Sequence, residues 1–471
     1  MYYRLKEPFA FRGWKKLPYA IRAEYGDYIS ERPLFLNRET FMDLLYCNGT
    51  EDVDKDKLSD EAKMFIDEFL AKKFMEESDE PMEAIKPWQR YRVFSSRFVE
   101  SAHWSITGKC NFNCRHCLVS APGNHHPQLP LSDLLNIIDQ MERCGIKRVD
   151  ITGGEPLVRK DYAEIFKALG EKRIFIRVLF TNASLLDESV LETLEKYGHH
   201  PSFQLSFDGY GHHDWLRGVK GAEAQADAAF RLLQKYKIKT SAAMCIHKEN
   251  RESLRDTVKY LADLDVHQLR VTAPQLLGVW LEYGSKYALS DEEVWETYKD
   301  YIPMFFEDGM PIDITLGGYF SGKKGKTEYE IPYIHHFDDT SDWSKINYCG
   351  SVKENLYIAP DGRVAPCMGF SDTVLGEKFE NVLDENLGDI TIKSYYRDVI
   401  DTKMTDFLSK NPECASCEHL TKCSGGCMLE DMTEDGDFLV PDGRTCFFHK
   451  HVGEDAVRAV ADEAIKKYVE K

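Results

Sequence analysis

Between about residue 94 and residue 316 the chain alternates strand-like and helix-like segments six times, and this alternation constrains its fold more than any other feature. Strand-like runs fall at 102–107, 148–152, 174–180, 202–207, 239–246 and 268–272. Helical periodicity fills the gaps, for example at 131–144, 189–197, 222–236 and 251–264. Strand, helix and strand in that order join by a right-handed crossover into a parallel sheet. Six units are too few to close an eight-stranded barrel. The fold expected is therefore α/β, a partial (β/α)6 barrel, with its chemistry at the C-terminal ends of the strands.

Other segments flank this core. Residues 1–80 read as a small domain of short strands and helices, with apolar positions at helical spacing over 36–48 and a second amphipathic helix from Ser59 to Lys73. A charged, proline-containing stretch follows, and 81–94 is expected to be a linker. The polar, poorly periodic residues 321–348 read as a bridge loop, 349–450 as a cysteine-rich domain, and 451–471 as a charged terminal helix.

The chain has 79 acidic and 60 basic residues, a net charge of -19. Such a surface repels phosphate backbones, so no nucleic-acid partner is expected. No apolar run approaches the ~20 residues of a membrane helix, and the first residues do not resemble a signal peptide. The expectation is a cytoplasmic protein without a membrane partner. Thirteen cysteines in a reducing compartment then point to metal or redox chemistry rather than disulfides. Ten of them form two groups, at 110–117 and 349–446. Cys47, Cys144 and Cys245 lie in apolar segments and read as small core residues.

Cys110, Cys114 and Cys117 stand in TGKCNFNCRHCLVS, just after the first barrel strand. Three thiolates at this spacing can wrap one iron–sulfur cubane and leave one iron open for a ligand. The competing reading is a zinc site short of a fourth ligand, which His116 cannot easily supply beside Cys117. The spacing resembles the CxxxCxφC signature of the radical S-adenosylmethionine (SAM) superfamily, with His116 at φ. Gly153-Gly154-Glu155-Pro156 after the second strand resembles the family's GGEP motif, which holds the SAM amino group largely through backbone atoms. FQLSFDG at 203–209 resembles its ribose-contacting element and points to Ser206 and Asp208; HDWLRG at 213–218 also follows the family pattern. The resemblance covers residues 95–320. It implies reductive cleavage of SAM at the open iron and hydrogen abstraction by a 5′-deoxyadenosyl radical.

The C-terminal cysteines run Cys349, Cys367, Cys414-x2-Cys417-x5-Cys423-x3-Cys427 and Cys446. Zinc is the alternative, although seven cysteines fit two four-ligand zinc sites poorly. The pattern resembles the SPASM domain, which carries two auxiliary [4Fe-4S] clusters. That resemblance implies Cys349, Cys367 and Cys427 on the first and Cys414, Cys417, Cys423 and Cys446 on the second. Residues 337–348 hold no further cysteine, leaving the first set one thiolate short. LYIAPDGRVAPC reads as a hairpin turning at Asp361-Gly362.

Residues 35–77 resemble the helical half of a winged-helix-like domain that binds leader peptides by strand addition in enzymes acting on ribosomal precursor peptides. The implied activity is maturation of such a peptide by an intramolecular thioether or carbon–carbon cross-link, with a flavodoxin- or ferredoxin-type reductant. Two alternatives stand beside it: a superfamily enzyme that oxidises a protein side chain or processes a cofactor precursor, and a non-catalytic zinc- or cluster-dependent binding protein. The residues single out no general base.

Overall fold

The computed structural model describes residues 1–24, 32–121, 128–338, 340–352 and 354–470. At the N-terminus, β1 (Tyr2–Leu5) runs through β2 (Phe9–Trp14), β3 (Ala20–Ala23) and β4 (Leu34–Phe35) to α1 (Arg38–Leu44). Then come β5 (Asn48–Asp52), α2 (Asp60–Ala71), β6 (Met75–Ser78) and β7 (Arg92–Phe94). They form two sheets, ordered β5-β1-β6 and β4-β3-β2-β7. Asn37 caps α1 by accepting the Thr40 amide, and Ser59 caps α2 by accepting that of Ala62. Both helices drop Phe41, Leu44, Ile66 and Phe69 into a core of their own with Leu5, Phe9 and Phe11.

The stretch expected to be a linker is part of this fold. β7 pairs in parallel with β2, and the buried Gln89 amide donates to the carbonyls of Leu5 and Phe9. Charge and proline masked these two contacts, which are long-range in sequence. The domain is fastened to the barrel by buried polar bonds: Trp14 Nε1 donates to the Cys144 carbonyl (3.3 Å), and Arg22 donates to that of Gly145 (2.6 Å). Glu24 bridges Arg12 and Lys147, each at 3.0 Å.

The barrel strands are β8 (Ser101–Ser105), β9 (Arg148–Thr152), β10 (Phe175–Thr181), β11 (Ser202–Ser206), β12 (Thr240–Cys245), β13 (Gln268–Thr272) and β14 (Asp313–Leu316). All seven are parallel and adjacent in sequence order. β14, a seventh strand, is short and was not among the six expected. β15 (Phe320–Gly322) and β16 (Tyr329–Glu330) extend this edge inside the expected bridge loop. At the other edge β17 (Asn355–Ile358) pairs in parallel with β8, and β18 (Val364–Ala365) closes the hairpin with Gly362 in the left-handed region. The sheet ends on β16 and β18 without closing.

Strand alternation separates two environments. Trp104, Ile151, Leu205, Met244, Leu269 and Ile314 are completely buried beneath the surrounding helices. The alternate positions, such as Ser206, Gln204, Ser241 and Thr272, are polar and partly exposed toward the inner face. The space inside this open barrel is thus lined by polar, partly exposed side chains and forms a chamber rather than a packed core. The helix Gly453–Val469 ends the chain and packs on the helix Asp291–Glu307. No helix among the described residues is long and apolar enough to cross a membrane.

Candidate iron–sulfur and cofactor site

The loop after β8 brings Cys110, Cys114 and Cys117 together over the C-terminal end of the barrel. Each sulfur already accepts a hydrogen bond from the protein. The Phe112 amide donates to Cys110 Sγ (3.4 Å), the Ala121 amide to Cys117 Sγ (3.3 Å), and Arg217 Nη1 to Cys114 Sγ (3.8 Å). Burial pushes the free Cys110 thiol up to about 12 and that of Cys117 to about 11, with smaller contributions from the neighbouring cysteines. Thiols so placed stay protonated until a metal takes the proton's place.

The loop is clamped from two sides. The short helix His213–Arg217 holds it through Arg115, whose amide donates to the Leu216 carbonyl and whose guanidinium stacks on Trp215 at 4.8 Å. From the other side the Val279 amide donates to the Cys117 carbonyl (3.2 Å). Gly218 and Gly278 make both approaches possible, since a Cβ there would stand 2.2 Å from Asn113 O and 2.4 Å from Cys117 O.

Gly153 and Gly154 form the turn after β9 and lie against the same loop. The Gly154 amide donates to Thr107 O and the Glu155 amide to Lys109 O, both at 2.9 Å. The Glu155 side chain faces the protein. It is fully buried and accepts from the Leu157 amide, Thr181 Oγ1 and the Asn182 amide at 3.1, 2.9 and 2.7 Å. Burial raises its carboxyl to about 7 against those donors. Glu155 therefore fixes the turn, Pro156 directs the following 3-10 turn, and the half-exposed glycine backbone is what remains for a cofactor.

Ser206 ends β11 with its side chain on the inner wall. Asp208 is fully buried, and its carboxylate is committed to Arg217 Nε (2.6 Å) and the Cys245 amide (3.0 Å). His213 Nδ1 lies 3.3 Å from the same carboxylate but accepts the Asp208 amide at 3.0 Å. An amide can only donate, so Nδ1 carries no proton and is not an ion-pair partner. The pair with Arg217 outweighs burial and holds the Asp208 carboxyl far below the usual range. His116 is tucked beneath the loop, neutral because desolvation lowers it to about 3, with its Nδ1 shielded and unpartnered.

Cys245 corrects its expected place in a core. Even-numbered positions of β12 face the helices, so Cys245 faces the chamber, where its sulfur lies within 4.8 Å of ligand atoms of His116 and Asp208. Strand parity alone could have located it. Cys47 and Cys144 are completely buried, as expected.

The seven C-terminal cysteines fall into two sets in space. Cys427, raised to about 12 by burial, is further raised by Cys367 and Cys349. Cys414 is affected by Cys417 and Cys446, and Cys423 by Cys446 and Cys414. Between Cys423 and Cys427 the chain reverses through Ser424, Gly425 and Gly426, all in the left-handed region. Asp442 ties the sets together by accepting the Cys427 amide (2.9 Å) while capping the helix Gly443–Phe447 that carries Cys446.

These donors fit polynuclear iron–sulfur clusters better than single ions. Four sulfurs about 2.3 Å from one zinc would stand roughly 3.8 Å apart. Among the described residues the one set of three ligand atoms within 4.8 Å of one another is His116, Asp208 and Cys245, which includes none of the ten clustered cysteines. A cubane spreads its thiolates over different irons.

Residues 104–261 match the family model of the radical SAM superfamily, and 349–418 match SPASM, an iron-sulfur cluster-binding domain. A PqqA peptide cyclase of Granulibacter bethesdensis is 24% identical over 373 residues, 76% of this chain and 90% of that one. The antilisterial bacteriocin subtilosin biosynthesis protein AlbA of Bacillus subtilis is 24% identical over 57% of this chain and 55% of its own. Streptococcus suis SuiB, in a crystal structure bound to precursor peptide SuiA, superposes with a TM-score of 0.64 at 16% identity, over 94% of this chain and 99% of that one.

Proposed function

We propose that this chain, a radical SAM enzyme with a SPASM domain, cross-links residues within a ribosomally made precursor peptide. The observation that carries the reading is the combination of a three-thiol loop over an open, polar-walled barrel with an N-terminal domain fastened to that barrel. The relatives include a peptide cyclase and a bacteriocin biosynthesis protein, and the fold shared with the peptide-bound SuiB extends over nearly the whole chain.

Cys110, Cys114 and Cys117 would hold the cluster that binds SAM, and the bound pair would supply the radical chemistry that removes a hydrogen from the substrate. The backbone at Gly153, Gly154 and Pro156 receives the SAM amino group, while Glu155 keeps that turn in place. Ser206 is positioned for the ribose, Asp208 orients Arg217 beside Cys114, and His116 packs beneath the loop as an apolar-like wall. Cys349, Cys367 and Cys427 hold the first auxiliary cluster, and Cys414, Cys417, Cys423 and Cys446 the second. The polar chamber admits the peptide, and a peptide seated there would limit the access of solvent to the radical.

Residues 1–94 act as a winged-helix-like recognition domain for the leader, so that binding energy gained there positions the reacting segment. Among the described residues no strand pairs with the outer edge of β6, which leaves it available for strand addition, whereas residues 82–85 cover part of the β5 edge. A cytoplasmic flavodoxin or ferredoxin is the expected electron donor. The test is anaerobic incubation of the reconstituted enzyme with SAM, reductant and candidate ribosomal precursor peptides, followed by mass spectrometry. Loss of two hydrogens per cross-link is expected; SAM cleavage with an unchanged peptide mass would reject the assignment.

A further inference from the structure

Among the described residues, the inner wall of β8 to β14 carries one cation whose side chain has no partner. Leu269 and Val271 of β13 are completely buried toward the helices, so Gln268, Arg270 and Thr272 face the opposite side. Thr272 identifies that side as the chamber. Its Oγ1 lies 4.0 Å from Cys245 Sγ, and Cys245 adjoins His116 and Asp208 beneath the three-thiol loop. Arg270 is one inward step below Thr272, roughly 6.6 Å along the strand. In register beside it stand Ala243 of β12 and Thr315 of β14, and Ala243 is itself paired with Ser206. No long side chain therefore separates Arg270 from the Ser206 edge of the cofactor site.

Every other charged inward position on β8 to β14 is neutralised. Arg148 pairs with Glu100, Arg177 with Asp150, and Asp313 with Lys323 and His267. The Arg270 side chain is exposed and makes no hydrogen bond, ion pair or ring contact among the described residues. A guanidinium presents a rigid fork of donors that matches a carboxylate in bidentate geometry. A cation left without a partner on this wall is placed to receive an anion brought in from outside.

We propose that Arg270 binds the carboxylate of an acidic residue in the substrate peptide and so sets which segment lies beneath the cofactor. The proposal rests on the peptide reading above and adds to it a substrate requirement: an aspartate or glutamate close to the modified position. The methionine carboxylate of SAM is the other source of the same chemistry, and the test separates the two.

The test uses reconstituted full-length enzyme, its Arg270→Met and Arg270→Lys variants, and the precursor peptide with each Asp and Glu changed in turn to Asn or Gln. Affinity is read by fluorescence anisotropy. In the wild type, one amide substitution should weaken binding about tenfold, the scale of a charge-assisted hydrogen bond. Arg270→Met should lose the same factor for the native peptide and be insensitive to that substitution, and Arg270→Lys should recover part of it. Equal affinity of Arg270→Met and wild type would overturn the proposal, as would a uniform loss across all peptides. A rise in the KM for SAM measured without peptide would also overturn it, by assigning the guanidinium to the methionine. If no peptide binds the wild type, the peptide reading fails, and the anion site is judged by protection of Arg270 from phenylglyoxal by glutarate: protection supports it and its absence overturns it.

Discussion

Replacing Gly154 by alanine should cripple SAM cleavage while leaving the fold intact. The added Cβ would stand 2.4 Å from the Lys109 carbonyl oxygen, 2.6 Å from its carbon and 3.0 Å from Cys110 Cβ. Non-bonded carbon contacts begin near ~3.5 Å, so the turn and the cluster loop must separate by about 1 Å. The obstacle is backbone, and no rotamer change relieves it. The movement falls on the two 2.9 Å bonds, Gly154 to Thr107 and Glu155 to Lys109, that hold turn and loop together. A misplacement of about 1 Å costs roughly 100-fold in rate, or about 2.7 kcal/mol in the barrier. The assay is 5′-deoxyadenosine formation by anaerobically reconstituted enzyme, normalised to iron per chain. Gly198→Ala is the control: Gly198, unlike Gly154, has a positive φ, and nothing lies within 4 Å of its added Cβ. It should cost about 1 kcal/mol of stability and no activity. A Gly154→Ala enzyme turning over within about threefold of wild type would refute the close-approach argument.

Two further outcomes follow from the buried network and the cysteine sets. Glu24→Gln should destabilise the junction between the N-terminal domain and the barrel by about 3–5 kcal/mol, because Arg12 and Lys147 stay buried without their counter-charge; chemical denaturation and proteolytic release of the N-terminal domain measure it. Burial raises the Glu24 carboxyl, but Lys147, Arg12 and Arg22 together hold it below its usual value. Its folded pKa is thus the lower one, so its contribution is present above about pH 4.5 and is lost as pH falls through the folded value, a decline that Glu24→Gln should lack. The first auxiliary cluster should have a non-cysteine fourth ligand, because Cys47 and Cys144 are buried elsewhere and Cys245 lies against His116 and Asp208; a cluster-resolved structure showing a fourth thiolate there would contradict this.

The parts of the site that were readable from sequence are those written in local spacing. Cys110, Cys114 and Cys117, the Gly153–Gly154 turn and the Asp361–Gly362 hairpin each depend on neighbours a few residues away. What escaped depends on contacts between distant segments. Residues 81–94 look like a linker until Gln89 is seen bonded to Leu5 and Phe9. Cys245 looks like core because its strand is apolar, yet the apolar character belongs to its alternate residues. Arg270 is one charge in a chain rich in them, and only the pairing of Arg148, Arg177 and Asp313 makes it distinct. β17 arrives from the cysteine-rich domain to extend the barrel sheet, a long-range pairing that short strand signals cannot announce.

The central claim is that Cys110, Cys114 and Cys117 hold the cluster that cleaves SAM. Its most direct test is 5′-deoxyadenosine formation under reducing, anaerobic conditions by the wild type and by the Cys110→Ala, Cys114→Ala, Cys117→Ala triple variant, with iron counted in both. The account predicts that the triple variant is folded, has about four fewer irons per chain and forms no 5′-deoxyadenosine above background. Cleavage of SAM by the variant at a rate comparable to wild type would contradict it.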